Sequence, residues 1–335
     1  MKNILITGGC GFIGRAFLAN QLSSDVKVRV FDNLSFGTRE DLAAVAPNFT
    51  EMSSEDDHTQ WNDKVSLVVG DILDENLLKK AFSGADICLH LAANTGVGPS
   101  VENPRSDCNA NVIGTLNTLE ACRLNSVKRF VFASSGAPLG VQSPPLNENM
   151  APRPASPYGA SKLAGEAYCS AYYHCFGVET VALRFGNVYG PGSTKKSSVV
   201  AKFIREAYAG ETLEIYGDGS QTRDFIYIDD LIEAINAAMT KEGVGGEAFQ
   251  IASASETTIG EITEVLVGLL EKKLDRKVAF KNGETRVGDV QRNFSDTSKA
   301  KQMLGWTATV ALEEGLDRTV ESFHQHAELL SDQQG

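Results

Sequence analysis

Short, largely apolar runs recur along the first half of the chain, at residues 3–7, 27–31, 65–69, 87–91, 129–133 and 180–185. A strand with one buried face alternates apolar and polar residues; runs without that alternation predict strands covered on both faces, as in a parallel sheet. Between the runs, apolar residues at three- and four-residue spacing predict helices over 11–23, 107–124 and 157–175. This is the βαβ rhythm of an α/β fold built on a doubly wound parallel sheet. The stretch 47–63 is polar and acidic and reads as an exposed loop without chemistry. Beyond Gly186 the rhythm breaks at Pro191-Gly192. It gives way to helices over 198–209, 228–240, 259–270 and 312–325, with short strands over 213–216, 225–227 and 248–251. The pattern therefore predicts a sheet-bearing domain over 1–186 and a smaller α/β lobe over 187–335, interleaved with the first.

Charge narrows the choice of partners. A formal net charge of -12 excludes nucleic acid as the main ligand, because phosphate backbones demand a positive surface. Any anionic ligand must be met by locally placed Arg, Lys or helix N-termini. The six cysteines (10, 88, 108, 122, 169 and 175) include no Cys-x-x-Cys pair and read as reduced, mostly buried thiols of a cytoplasmic protein. No apolar run approaches the ~20 residues of a membrane span. No metal-ligating pattern stands out.

The first turn carries Gly8-Gly9-Cys10-Gly11-Phe12-Ile13-Gly14, directly after a strand and opening a helix. Gly8 permits a tight turn, Gly11 lets backbone approach a pyrophosphate, and Gly14 lets the helix pack closely. Asp32 ends the second strand, where a carboxylate accepts hydrogen bonds from the adenosine ribose and repels a 2'-phosphate, favouring NAD over NADP. Arg39 nearby reads as a surface or helix-start charge. Asp71-Ile72, after the third run, is placed either to meet the adenine or, through Asp71, to cap a helix over 75–82.

Tyr158 and Lys162 are one turn apart at the start of a helix and project from one face. A free tyrosine, with a pKa of about 10, is too weak a base at neutral pH; a neighbouring ammonium and a nicotinamide cation both favour the phenolate. Ser134-Ser135 end a parallel strand at its carboxyl edge, where such sheets bind ligands. Ser135 is positioned to hydrogen-bond a substrate hydroxyl, and Ser134 to support the backbone or the sugar.

With Leu91-Ala92-Ala93, Asn111, Arg184–Pro191, the run Gly217–Phe225 and Arg286-x-Gly288-Asp289, these motifs resemble the extended short-chain dehydrogenase/reductase superfamily. The likeness is strongest to NAD-dependent UDP-glucose 4-epimerases and their nucleotide-sugar-modifying relatives. It covers almost the whole chain and implies a Rossmann-type domain with a substrate lobe, a homodimer, and a role in supplying activated sugars for polysaccharides. It further implies that Tyr158 takes a proton from a sugar hydroxyl, that Lys162 lowers the Tyr158 pKa and binds the nicotinamide ribose, and that Ser135 bridges to the reacting oxygen. Phe12, Ile13, Asn33 and Leu91–Ala93 would line NAD, and Asn111 would brace the active-site helix. Arg223 and Arg286 would clamp the nucleotide diphosphate, with Asn187, Val199 and Asp289 also at the substrate.

The same resemblance separates reactions. The 4,6-dehydratase relatives carry an Asp-Glu pair after the catalytic hydroxyl residue, whereas here Gly136-Ala137 follow; dehydration, like keto-sugar reduction, is the alternative to epimerisation. A catalytically silent NAD-binding protein would tend to lack Tyr158 or Lys162. Pro138-Leu139 replace the relatives' usual Val-Tyr and leave the sugar open. Asn293 stands where many relatives have a bulky Tyr, suggesting room for an N-acetyl group. Lys195-Lys196 fall where uronate-specific relatives bind a carboxylate, or form a solvated pair.

Overall fold

The apolar runs fold into strands whose side chains are shielded on both faces. In the computed structural model, which describes residues 2–285 and 290–332, they are β1 (Lys2–Thr7), β2 (Val26–Asp32), β3 (Thr50–Met52), β4 (Val65–Val69), β5 (Ile87–His90), β6 (Arg129–Ser135) and β7 (Glu179–Phe185). An eighth strand, Glu247–Ile251, arrives from far along the chain and pairs with β7. The sheet order is Glu247–Ile251, β7, β6, β5, β1, β2, β4, β3, and every pairing is parallel. The chain winds outward from β1 in one direction and from β5 in the other. The point where it reverses therefore lies between β1 and β5, where ligands bind in open α/β sheets.

Helices cover both faces. The helix Phe12–Gln21 packs against Ile228–Thr240 on one side, while Gly114–Leu124 and Pro157–Phe176 pack together on the other. The last of these starts where its sequence says it should. Ser156 is the N-cap and accepts from Gly159 N at 3.1 Å, Pro157 sits in the first turn, and Gly177 ends the helix in the left-handed region.

Two expectations are corrected. The 47–63 stretch is not simply an exposed loop, since Thr50–Met52 adds an edge strand parallel to β4 and Trp61 and His58 are buried. The cause is Arg29 on β2, itself fully buried. Its guanidinium donates to the carbonyls of His58, Ala81 and Gln60 at 2.8–2.9 Å and stacks 4.1 Å from the Trp61 ring, so the polar segment is tied down by its backbone. The second concerns 107–124, which is not one regular helix. Pro104–Cys108 leads through a π turn, Asn109–Ile113, into Gly114–Leu124. Such single π turns tend to occur at functional sites, and this one carries Asn111.

Beyond β7, helix Val199–Ala209 packs against strand Leu213–Tyr216 and helix Ile259–Leu274. A strand absent from the sequence reading, Phe280–Gly283, pairs in parallel with Leu213–Tyr216. Among the described residues no helix is long and apolar enough to cross a membrane.

Candidate active site

The glycine turn closes against the switch point. Gly8 has φ +70°, and a Cβ there would come within 2.7 Å of Ala92 N, so only glycine lets the turn touch the end of β5. A Cβ at Gly14 would lie 2.5 Å from Gly9 Cα, which makes Gly14 the packing position. Gly11 is different: it is the helix N-cap, with no side chain capping the helix and no acid in its first turn. The first-turn N–H groups are left for a ligand, and the helix dipole favours an anion.

Asp32 has two tasks here. Its carboxylate accepts from Cys10 N at 2.9 Å and Leu34 N at 2.8 Å, fixing the glycine turn to the end of β2. Burial raises its pKa, and those two N–H groups oppose the shift. Asn33 donates to Asp71 at 2.9 Å, bringing the two residues expected at the adenosine together. Asp71 is not the helix cap; Asp74 is, accepting from Asn76 N and Leu77 N. Ile72 is buried beside Gly114. Arg39 makes a bidentate pair with Glu51 on β3, at 2.8 Å. The turn, the open helix end and the buried carboxylate fit an adenine dinucleotide.

On the other side of the switch point, Ser135 ends β6 and Tyr158 opens the helix Pro157–Phe176. Burial raises the Tyr158 pKa; the Ser135 hydroxyl favours the phenolate and opposes the shift, while Asp107 adds to the rise. Lys162, expected to lower it, is not among the groups that shift it. Its Nζ donates to Ala133 O at 2.8 Å and lies 4.9 Å from the Phe132 ring centroid. Burial pushes the Lys162 pKa down to about 8 against the pull of Asp107. Ser134, expected at the substrate, instead donates its buried hydroxyl to Glu166 at 2.5 Å.

Asn111 joins these pieces. Its amide accepts from Asn94 N at 2.8 Å and donates to Asn94 O and Asp107 at 2.9 Å and to Ser161 at 3.2 Å. It thus links the segment after β5 to the helix carrying Tyr158. The other oxygen of Asp107 is buried and has no partner among the described residues. Leu91 N donates to Thr7 O and Ala92 N donates to Thr7 Oγ1, so the segment 91–93 lies directly over the glycine turn.

His90 escaped the sequence reading, although it immediately precedes Leu91. Its Nδ1 is 2.6 Å from Thr7 Oγ1 and its Nε2 is 3.0 Å from Thr115 Oγ1. Thr115 gives its own hydrogen to Asn111 O, so Nε2 must carry the proton and Nδ1 must accept from Thr7. Burial and the Lys162 charge hold the His90 pKa down to about 3. An unfolded histidine titrates near 6.5. Below that pH the unfolded state therefore gains a proton that the folded state refuses. Stability should fall from about pH 6.5 toward pH 3, by up to ~1.4 kcal/mol per unit from this group. Urea midpoints between pH 7 and 4.5 should drop less steeply in His90→Asn than in wild type; equal slopes would count against this assignment.

Farther along the chain, Arg223 donates to the carbonyls of Thr222 and Val290 at 2.6–2.7 Å. It adjoins a cleft of about 530 Å³ lined by Tyr216, Gln221, Asn282 and Gln291. Tyr216 was visible in the Gly217–Phe225 neighbourhood but not as the aromatic wall of a cleft. Asn187 is exposed just beyond β7, Val199 opens its helix, and Asn293 donates its N–H to Thr222. Arg286 and Asp289 lie outside the described residues. Pro138 and Leu139 form a buried 3-10 turn packed against the Tyr158 helix.

A glycine turn at the switch point of a doubly wound sheet, with a Ser–Tyr hydroxyl pair at the next strand end, defines the class: dinucleotide-dependent enzymes that act on a hydroxyl-bearing substrate. More specifically, the chain belongs to the NAD dependent epimerase/dehydratase family, which residues 4–252 match. It is 34% identical to a UDP-glucose 4-epimerase of Mycolicibacterium smegmatis, over 97% of this chain and 99% of that one. A UDP-glucose 4-epimerase from Thermotoga maritima, solved with UDP-glucose, superposes with a TM-score of 0.83 at 34% identity, covering 97% and 99% of the two chains. A UDP-N-acetylglucosamine 4-epimerase from Methanobrevibacter ruminantium gives 0.85 at 30% identity over the same shares.

Proposed function

We propose that the chain interconverts nucleotide-activated hexoses at carbon 4, with UDP as the nucleotide and NAD as a returning hydride carrier. The observation that carries this is Ser135 at the carboxyl end of β6 favouring the phenolate of Tyr158 at the start of the neighbouring helix, next to a glycine turn suited to a dinucleotide. When bound, NAD accepts hydride from the sugar carbon and gives it back. The chain's own groups do the rest. Ser135 orients the 4-hydroxyl and Tyr158 removes its proton and later restores it. Lys162, held on Ala133 O, supplies a fixed charge to the nicotinamide side. Asn111 keeps the Tyr158 helix in register with the segment over the cofactor.

Epimerisation is favoured over dehydration because Ser135 is followed by Gly136-Ala137, and Ala137 uses its backbone N–H to hold the Ser135 hydroxyl at 3.2 Å. No carboxylate stands there to move a second proton. Net reduction with NADPH is disfavoured by Asp32. The Tyr216 cleft beside Arg223 suits a base flanked by two phosphates, with Arg223 and Arg286 at the diphosphate and Asn187, Val199 and Asp289 along the sugar. Exposed Leu124 and Phe176 on the paired helices, with exposed Ile113 on the π turn before the first of them, support a homodimer through these elements. Six free cysteines accord with a cytoplasmic enzyme that supplies activated sugars for polysaccharides.

A panel of UDP-, dTDP- and GDP-hexoses, including N-acetylated and uronic sugars, should be incubated with the purified protein without added cofactor. Interconversion of C4 epimers with NAD retained on the protein is the expected result. Stoichiometric NADH consumption, or release of a 6-deoxy-4-keto sugar, would replace this reading with a reductase or a dehydratase.

A further inference from the structure

Lys195 and Lys196 belong to the second lobe by sequence, yet the fold carries them to the glycine turn of the first. Lys195 pairs with Asp41 at 2.5 Å. Lys196 brings its Nζ to 5.1 Å from the Phe12 ring centroid, and its hydrogen-bond partner among the described residues is Val188 O at 3.3 Å. No carboxylate among those residues pairs with it.

Arg15 meets them from the helix that begins at the turn. Its Nη2 donates to Gly192 O at 3.1 Å and its Nη1 lies 3.7 Å from Asp41. Its Nε is buried and has no partner among the described residues. Gly11, Phe12, Arg15, Gly37, Lys195 and Lys196 line one narrow cleft. Three cations and an uncapped helix N-terminus thus converge, with Asp41 the one carboxylate in the cleft wall. A buried guanidinium nitrogen and a desolvated ammonium without counter-charge are costly unless an anion joins them.

We propose that the segment 193–197 is a basic clamp that closes the second lobe over the cofactor's diphosphate. Lys196 and Arg15 supply the charge, and the Lys195–Asp41 pair anchors the segment to the first lobe. The inference rests on the reading of the Gly8–Gly14 turn as the dinucleotide site, and it moves the two lysines from the sugar to the cofactor. Burial holds the Lys196 pKa down to about 8, and an anion beside the ammonium would raise it again. Diphosphate oxygens at the open helix end would meet the N–H groups of the first turn from one side and these side chains from the other.

The test uses the full chain freed of bound nucleotide, with NAD, ADP-ribose and adenosine as probes in calorimetric titrations. Lys196→Met should weaken NAD and ADP-ribose about tenfold or more, as expected for a lost charge-assisted contact, and leave adenosine unchanged. Lys196→Arg should recover most of the loss. NAD affinity within twofold of wild type in Lys196→Met would overturn the clamp, as would an equal loss for adenosine, which marks a merely structural role. Unchanged NAD affinity with selective loss of UDP-uronate binding would return the lysine to the sugar and overturn it too. A wild-type protein that binds no NAD is a separate failure, because it removes the dinucleotide reading of the glycine turn itself.

Discussion

Tyr158→Phe should lower turnover by about 10²- to 10⁴-fold, the usual worth of a positioned acid/base group, while NAD stays bound. The substitution deletes one hydroxyl, whose ionised form Ser135 favours, and keeps the ring that fills the site, so thermal stability should move little. The pH dependence follows from the direction of the pKa. Burial raises Tyr158 above its ordinary value, so the phenol is the resting form and the phenolate fraction grows with pH. Activity should therefore rise through the mildly alkaline range. The nicotinamide cation of bound NAD would draw the phenolate limb downward, so the limb should lie lower for turnover of the loaded enzyme than for the bare site. The measurement is kcat with the best epimer pair, alongside NAD content and a melting curve. A variant within tenfold of wild type, correctly folded and carrying NAD, would remove Tyr158 from the proton path.

What was legible in the sequence follows from which forces act locally. β1, β4, β5 and β6 could be read because parallel strands bury both faces, so their composition alone betrays them. The glycine turn was legible because steric exclusion at Gly8 and Gly14 leaves no other residue. Thr50–Met52 was not, since an edge strand made of Thr, Glu and Met carries no apolar signal. It exists because of β4's free edge and Arg29's hold on carbonyls far along the chain. The π turn at Asn109–Ile113 was equally hidden, because its cause lies in partners such as Asn94 and Ser161, some 50 residues apart in sequence in the latter case. Asp107 could have been found, standing four residues before Asn111 on the same helical face. The cap is Asp74 rather than Asp71 because the helix begins at Glu75, which places Asp74 at the N-cap position. Lys196 was visible as a charge, but nothing local could tell that the loop folds back onto Phe12.

Glu166→Met should be the most destabilising single change near the site, by about 3–5 kcal/mol, because it strands a buried cation. Arg184 on β7 donates Nε and Nη2 to the two Glu166 oxygens at 2.8 and 2.7 Å, and both side chains are under a tenth exposed. Ser134 on β6 donates to the same carboxylate. One group on the Tyr158 helix thus satisfies donors from two neighbouring strands, one turn beyond Lys162 and directly behind Ser135. Removing it leaves a guanidinium and a hydroxyl without acceptors in a dry interior, whereas removing both charges leaves none. The double variant Glu166→Met/Arg184→Met should therefore recover most of the stability lost by the single one. Urea midpoints of the two variants and wild type measure this directly. Because Ser135 and Tyr158 are carried by the same strand and helix, kcat should fall in the single variant and return in part in the double. If the double variant were no more stable than Glu166→Met, packing around residue 166, not its charge, would hold the helix to the sheet.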